Sequence, residues 1–242
     1  MAPFVVKCNK YRKTSDSEAG ICFSVFVNEQ MLLRSRILIK REESCMGQLI
    51  ISIGREFGSG GHEIAEKLAK HYDMPLYDHN LLDKIAEERN LNSEELKSYD
   101  EVQDGVFHRR VRGMSSSMTE HVAQLQFDYL KEKANAGESF VVVGRCSETV
   151  LKDNKDLIAI FVNGDKDQKV ARVSKKYELS ESQAADLMKK KDRARKMYHN
   201  INCDSKWGDS RNYELVINSS KLGVDKSVQM LIQYIDARVA NR

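Results

Sequence analysis

Residues 51–72 read ISIGREFGSGGHEIAEKLAKHY. The opening residues continue an apolar run, LIISI at 49–53, of the kind that forms a strand buried on both faces. Glycines follow at 54, 58, 60 and 61. Then comes a stretch in which Ile64, Ala65, Leu68, Ala69 and Tyr72 share one helical face. A strand, a glycine-rich turn and a helix, in that order, are the context in which a chain cradles a phosphate. Glycine lets the backbone turn tightly and come close to a ligand. The unpaired amides and the dipole of the helix start attract an anion.

The stretch departs from the phosphate-loop pattern G-x-x-x-x-G-K-S/T. Aligning GSGGH with its end puts Gly61 at the lysine and His62 at the hydroxyl, and Gly54 lies one residue too far back. A neutral histidine is a poor magnesium ligand, because magnesium prefers oxygen. A strand–turn–helix joint with no ligand is the plain alternative, since glycine-rich turns are common punctuation.

Working outward, short apolar runs recur at 140–143 (FVVV), 158–162 (IAIFV) and 214–217 (ELVI), with a shorter piece, MPLYD, at 74–78. Helical patterns lie between them. Residues 117–136 are amphipathic and stop at Gly137. Asp165 is placed to cap a helix reaching about Tyr177. Ser180 with Gln183 resembles a capping box for a helix to about residue 198, and 224–238 give the last helix. Strands alternating with helices imply an α/β sandwich around a parallel sheet. Residues 1–45 lack a clean period. They form an N-terminal extension that could add a strand pair or be poorly ordered, with the functional domain at 46–242.

The chain has 242 residues, 41% hydrophobic and 31% charged, with a formal net charge of +3. That mild basicity does not by itself argue for nucleic acid, and no aromatic interleaving supports it. Cysteines stand at 8, 22, 45, 146 and 203, an odd number with no C-x-x-C pair, so reduced thiols are expected. His199 and Cys203 offer too few partners for a metal site, and no metal-ligand set is expected. No apolar run of membrane length and no secretory leader is evident, so a cytoplasmic protein is expected.

The stretch from Ile50 through DMPLYDHNLL, the run FVVVGRCSETVL at 140–151, and the segment from KKKDRARKMYHN onward together resemble the cytidylate kinase-like family, a branch of the P-loop nucleoside monophosphate kinases. The likeness runs from about residue 47 to 238, with its motifs in the family's order. It implies a five-stranded parallel sheet between helices, in a three-layer α/β/α sandwich. A helical insertion at about 80–136 and a lid at about 175–212 would be added. It implies transfer of the ATP γ-phosphate, with Mg²⁺, to a nucleoside monophosphate such as CMP. Gly54, Gly58, Ser59, Gly60, Gly61 and His62 would face the donor phosphates. Asp78, Arg145 and Arg172 would face the acceptor. Asp192, Arg193 and Arg195 would belong to the lid. Cys146 stands where the family's Gly-Arg-Asp element has its aspartate, and this puts the preference for cytosine in doubt.

Phosphoryl transfer needs alignment and positive charge more than covalent help. Arginine supplies fixed charge and a fork for phosphate oxygens. Arg145, Arg172, Arg193 and Arg195 meet that need, and Arg55 or a lid arginine is expected to replace the missing lysine. Each residue has a plainer reading: Arg145 as a surface charge, Asp78 as an N-cap, KKKDRAR as a solvated face, His62 as a loop cap, Trp207 as an anchor of the lid loop. Cys146, beside Arg145, is either a thiol activated by that cation or a small buried residue. His108, Arg109, Arg110 and Arg112, in the polar segment 98–117, face an anionic acceptor or water. Two functions compete with the kinase: a catalytically weak nucleotide sensor, motivated by the lost lysine, and a kinase for another small acceptor, motivated by His79 and Cys146.

Overall fold

The structure is a computed structural model describing residues 47–101 and 116–242, with backbone alone for 98–101 and 116–119. The N-terminal extension, Cys8, Cys22, Cys45, His108, Arg109, Arg110 and Arg112 lie outside the described residues. Five strands form one parallel sheet: β1 (Ile50–Arg55), β2 (Leu76–Tyr77), β3 (Phe140–Val143), β4 (Leu157–Asn163) and β5 (Leu215–Asn218), in the order β2-β3-β1-β4-β5. The helices are α1 (Gly61–His71), α2 (Leu81–Arg89), α3 (Ser93–Glu101), α4 (Ser116–Asn135), α5 (Ser147–Val150), α6 (Lys166–Tyr177), α7 (Glu181–Asn202) and α8 (Ser219–Ala240).

The period of two along β1 divides the core. Ile51 and Ile53 join Val141, Val143, Ile158 and Ile160 against Ile64 and Leu68 of α1 and Leu231 and Ile235 of α8. Ile50 joins Phe140 and Val142 on the opposite face, against Leu81 and Ile85 of α2 and Tyr129 and Leu130 of α4. Both faces are therefore covered, which is why the strands read as unbroken apolar runs. Helices on both faces make a three-layer α/β/α sandwich.

Some boundaries differ from the sequence expectation. β1 runs past Ile53 to Arg55 because Gly54 pairs with Phe161 and Arg55 with Val162 of β4. The strand at 74–78 shrinks to two residues, where β3 offers partners for Leu76 and Tyr77. Ser180 and Gln183 do form a capping box on α7. Asp165 occupies the N-cap position of α6 but makes no capping bond. Its carboxylate instead accepts from Asn218 Nδ2 and Lys221 Nζ, both at 2.7 Å, and ties α6 to the start of α8. The last helix starts at Ser219 and breaks at Gly223 (φ 74°, ψ 170°), so the expected start at 224 marks its long part.

Candidate active site

Arg55 closes β1, and two glycines decide where its side chain runs. A Cβ at Gly61 would stand 2.6 Å from Arg55 Cβ, and a Cβ at Gly144 would stand 2.1 Å from Arg55 Nη1. Neither position tolerates a side chain while Arg55 lies there. Gly61 is the residue aligned with the phosphate-loop lysine, so Arg55 covers the space from which that lysine would start. Gly144 also has φ +75°, which a side chain resists.

Arg55 leads into a cavity of about 380 Å³ also lined by Asp78, Arg145, Lys191, Arg195 and His199. It opens at the C-terminal ends of β1 and β3, the end of a parallel sheet that binds ligands. Burial, then the charges of Arg195 and Arg145, push the Arg55 guanidinium well below its ordinary value, against the pull of Asp78 and Asp192. Arginine stays protonated regardless. The result is concentrated positive charge that an anion would relieve.

Arg145 reaches the cavity from a strained turn. Gly144, Arg145 and Cys146 have φ of 75°, 60° and 55° in succession. For the two non-glycine residues this costs roughly 1–2 kcal/mol each. Bonds from Ser147 N and Oγ to the Gly144 carbonyl, at 3.2 and 2.8 Å, hold the turn, and Ser147 Oγ meets buried Ser52 Oγ at 2.7 Å. Such strain clusters at functional sites.

The glycine loop is braced from below. Ser59 is buried, and its hydroxyl donates to the Glu56 carbonyl at 2.9 Å, so it faces the loop's own backbone. Ser219 Oγ donates to the Ser59 carbonyl at 2.5 Å. Glu56 pairs with buried Lys169 at 2.6 Å, which ties the loop to α6. Gly58 (φ +81°) packs on Val173 and Lys169, and Arg172 Nη1 lies across Gly60 (φ +78°), where a Cβ would meet it at 2.1 Å. Arg172 thus sits on the glycine loop, 4.0 Å from Glu63, and away from the cavity wall.

Helix α7 forms the opposite wall. Its Lys191, Ala194, Arg195, Tyr198 and His199 share the face toward the cavity, while Arg193 is exposed on another face. Asp192 Oδ1 accepts from the Phe57 amide at 2.6 Å, and burial raises its carboxyl above the usual range. Arg195 donates to the Arg55 carbonyl at 3.4 Å and stacks over Phe57, 5.3 Å from the ring centre. Trp207 meets Phe161 edge-on at 5.6 Å and borders the cavity.

Asp78 is buried, and its Oδ2 lies 2.8 Å from His79 Nδ1 and 3.6 Å from His62 Nε2, which is also 3.3 Å from Glu66. At the cavity's far end, buried Cys146 meets His199 and Cys203 from the end of α7, their ligand atoms all within 4.8 Å of one another. His199 Nε2 lies 2.7 Å from Glu148 Oε1, and both side chains are buried. The Cys146 thiol and then His199 lower Cys203 to about 5. Burial opposes charge on His199, yet Cys203 and Glu148 raise it to about 10. The acidic thiol is therefore Cys203. Cys146 is raised, chiefly by Cys203 and burial, and its neighbour Arg145 is the weakest influence on it.

Arg55, Asp78, Arg145 and Arg195 thus meet at one cavity, with Asp192 latching α7 to the loop. Gly54 borders the same cavity, and Gly58 to His62 form the loop and helix start beside it. Sequence reading missed Lys191, Tyr198, Glu148 and Lys169. A helical wheel of α7 anchored on Arg195 would have found the first two. Glu148 follows the GRC turn and carries no motif of its own.

The strand order, the glycine loop after central β1 and the basic cavity at the strand ends define a kinase-like nucleotide-binding fold. The family follows: the profile of the cytidylate kinase-like family matches residues 50–221, and the chain belongs to that family. An uncharacterized protein from Eubacterium ventriosum ATCC 27560 is 43% identical, with a TM-score of 0.63 over 78% of this chain and 99% of that one. Shikimate kinase from Bacteroides thetaiotaomicron is 16% identical, with a TM-score of 0.47 over 78% of this chain and 98% of that one. A sugar kinase from Janibacter sp. HTCC2649 is 12% identical, with a TM-score of 0.46 over 78% and 95%. No curated protein sequence matches the chain. No helix among the described residues is long and apolar enough to cross a membrane.

Proposed function

We propose that the protein is an ATP-dependent phosphotransferase that moves the γ-phosphate of ATP to a nucleoside monophosphate or a similar small acceptor. The observation that carries this reading is the path of Arg55 between Gly61 and Gly144 into a cavity shared with Arg145 and Arg195. Two side chains are sacrificed so that one guanidinium can stand where the absent lysine would act. Donor phosphates would lie along Gly58–Gly61, against the first-turn amides of α1, which cannot bond within the helix. Arg172, lying over Gly60, suits the donor side better than the acceptor side.

Arg55 and Arg195 would hold charge on the transferring group, and Arg145 would grip the acceptor phosphate. Asp78 is the carboxylate that fits magnesium, since it is buried and reaches the cavity. Held by Asp78, it would supply positive charge to stabilise the transferring phosphoryl group. Arg193, exposed on α7, has no part in this reading.

Purified full chain incubated with ATP, Mg²⁺ and each nucleoside monophosphate should yield ADP and a diphosphate product, followed by anion-exchange chromatography. Failure to phosphorylate any nucleoside monophosphate, or any small hydroxylated metabolite in a parallel screen, would refute the proposal. One observation favours a nucleotide sensor instead. Position 61 lacks the lysine, and the Ser59 hydroxyl is engaged by the Glu56 carbonyl rather than free for a metal. Calorimetry showing tight ATP binding without turnover would select that reading.

A further inference from the structure

We propose that Cys146, His199 and Cys203 bind a zinc-class divalent cation, with a fourth coordination position toward the cavity. The three ligand atoms lie within 4.8 Å of one another. Around one zinc ion, bonds of about 2.0–2.3 Å put ligand atoms roughly 3.5–3.8 Å apart, so side-chain shifts of about 1 Å complete the site. Two thiolates and an imidazole are a set that zinc takes with an open fourth position. Sequence reading counted only His199 and Cys203. The fold adds Cys146 from the end of β3, through the positive-φ turn at 144–146.

The imidazole points independently to a ligand. His199 is 4% exposed, and its Nδ1 is buried and makes no hydrogen bond among the described residues. Its Nε2 is engaged by Glu148 at 2.7 Å. A carboxylate on one ring nitrogen fixes tautomer and orientation, and leaves the other nitrogen to coordinate. A buried nitrogen without a partner is costly in an ordinary core. A cation between the nitrogen and the two sulfurs removes that cost. Cys146 and His199 also line the cavity, which leaves the open position accessible to water or to an acceptor group.

The test is a titration of chelator-treated, reduced full chain with Co²⁺, read by absorption and independent of phosphoryl transfer. One equivalent should produce thiolate-to-cobalt charge transfer and the visible bands of a four-coordinate ion, and Zn²⁺ should displace it. Cys203→Ser, at the half-buried end of α7, should lose most of the charge-transfer band while keeping the wild-type circular dichroism. Glu148→Gln should keep the band but weaken affinity roughly 10–100-fold. Absence of the band in the reduced wild-type protein would overturn the proposal. So would its full retention in the Cys146→Ser/Cys203→Ser double variant, which would place the ion on other cysteines. A Cys146–Cys203 disulfide in the air-exposed protein, with no metal uptake after reduction, would also overturn it, in favour of a redox pair.

Discussion

Arg55→Ala should separate stability from activity, in opposite directions. The guanidinium is lowered well below its ordinary value by burial and by Arg195 and Arg145. Arginine is charged at neutral pH in both the folded and unfolded chain. A depressed folded-state value is therefore a standing cost to folding, present at every physiological pH and relieved when the charge is removed. Lost packing on Gly61 and Gly144 works the other way. Single stabilising substitutions in natural proteins commonly contribute about 0.5–2 kcal/mol. A net gain of about 1 kcal/mol would raise Tm by roughly 2–4 °C in a domain of this size. Activity should fall instead. Removing one preorganised donor from developing charge costs about 10²–10³ in kcat, and an arginine on a transferring phosphoryl group can be worth about 10³–10⁵. A fall of at least about 100-fold is expected, with Arg55→Lys intermediate because it keeps the charge but loses the fork. Thermal melts with and without Mg–ATP, beside a coupled turnover assay, read both effects. Unchanged turnover together with a lowered Tm would make Arg55 a packing residue and refute the reasoning.

Gly144→Ala should cost roughly 1–2 kcal/mol from its φ of +75°, and it should displace the Arg55 tip, so turnover falls while urea melts show the strain. Gly61→Ala should cost about 1–3 kcal/mol by overpacking against Arg55 Cβ, and Arg55→Gly in the same chain should recover part of that. Additive urea-melt effects would show that the two residues do not compete for one space. Lys169→Ala strands Glu56 in a partly buried setting and should lower stability by about 3 kcal/mol in denaturant titration. Ser180→Ala removes the capping box on α7 and should cost about 1 kcal/mol, read from thermal melts by circular dichroism.

The sheet was legible because its strands are covered on both faces. Val141, Val142 and Val143 must all be apolar, so the run announces itself without a period. The Ser180 capping box was legible for a local reason, since both of its bonds close within four residues. Asp165 shows the limit of local reading: its position is a cap, but Lys221 and Asn218, from a distant segment, take its carboxylate. The candidate site divides along the same line. Arg55, Asp78 and Arg145 could be named because each stands at or beside the end of a strand. On α7, Arg195 could be named but not told apart from Arg193, because the charged run around them does not mark which face turns inward; a wheel anchored on Arg195 was needed to add Lys191. The Cys146–His199–Cys203 cluster was out of reach for a third reason: two of its members are neighbours on one helix end, and the third arrives only through the turn after β3.

On the proposed reading, the phosphate-binding cation sits on a strand rather than on the first turn of a helix, and that changes what controls it. A lysine at position 61 would ride on the first turn of α1. Arg55 instead ends a strand hydrogen-bonded to β4, so its backbone is fixed by the sheet. Its carbonyl accepts from Arg195, and the Phe57 amide two residues on donates to Asp192. Both bonds come from α7. The same helix carries His199 and ends at Cys203, beside Cys146. One helix therefore contacts the loop backbone near one end of the cavity and the Cys–His cluster at the other. The glycine loop and the Cys–His cluster are thus both contacted by this one helix, and the charge on Arg55 lies between them.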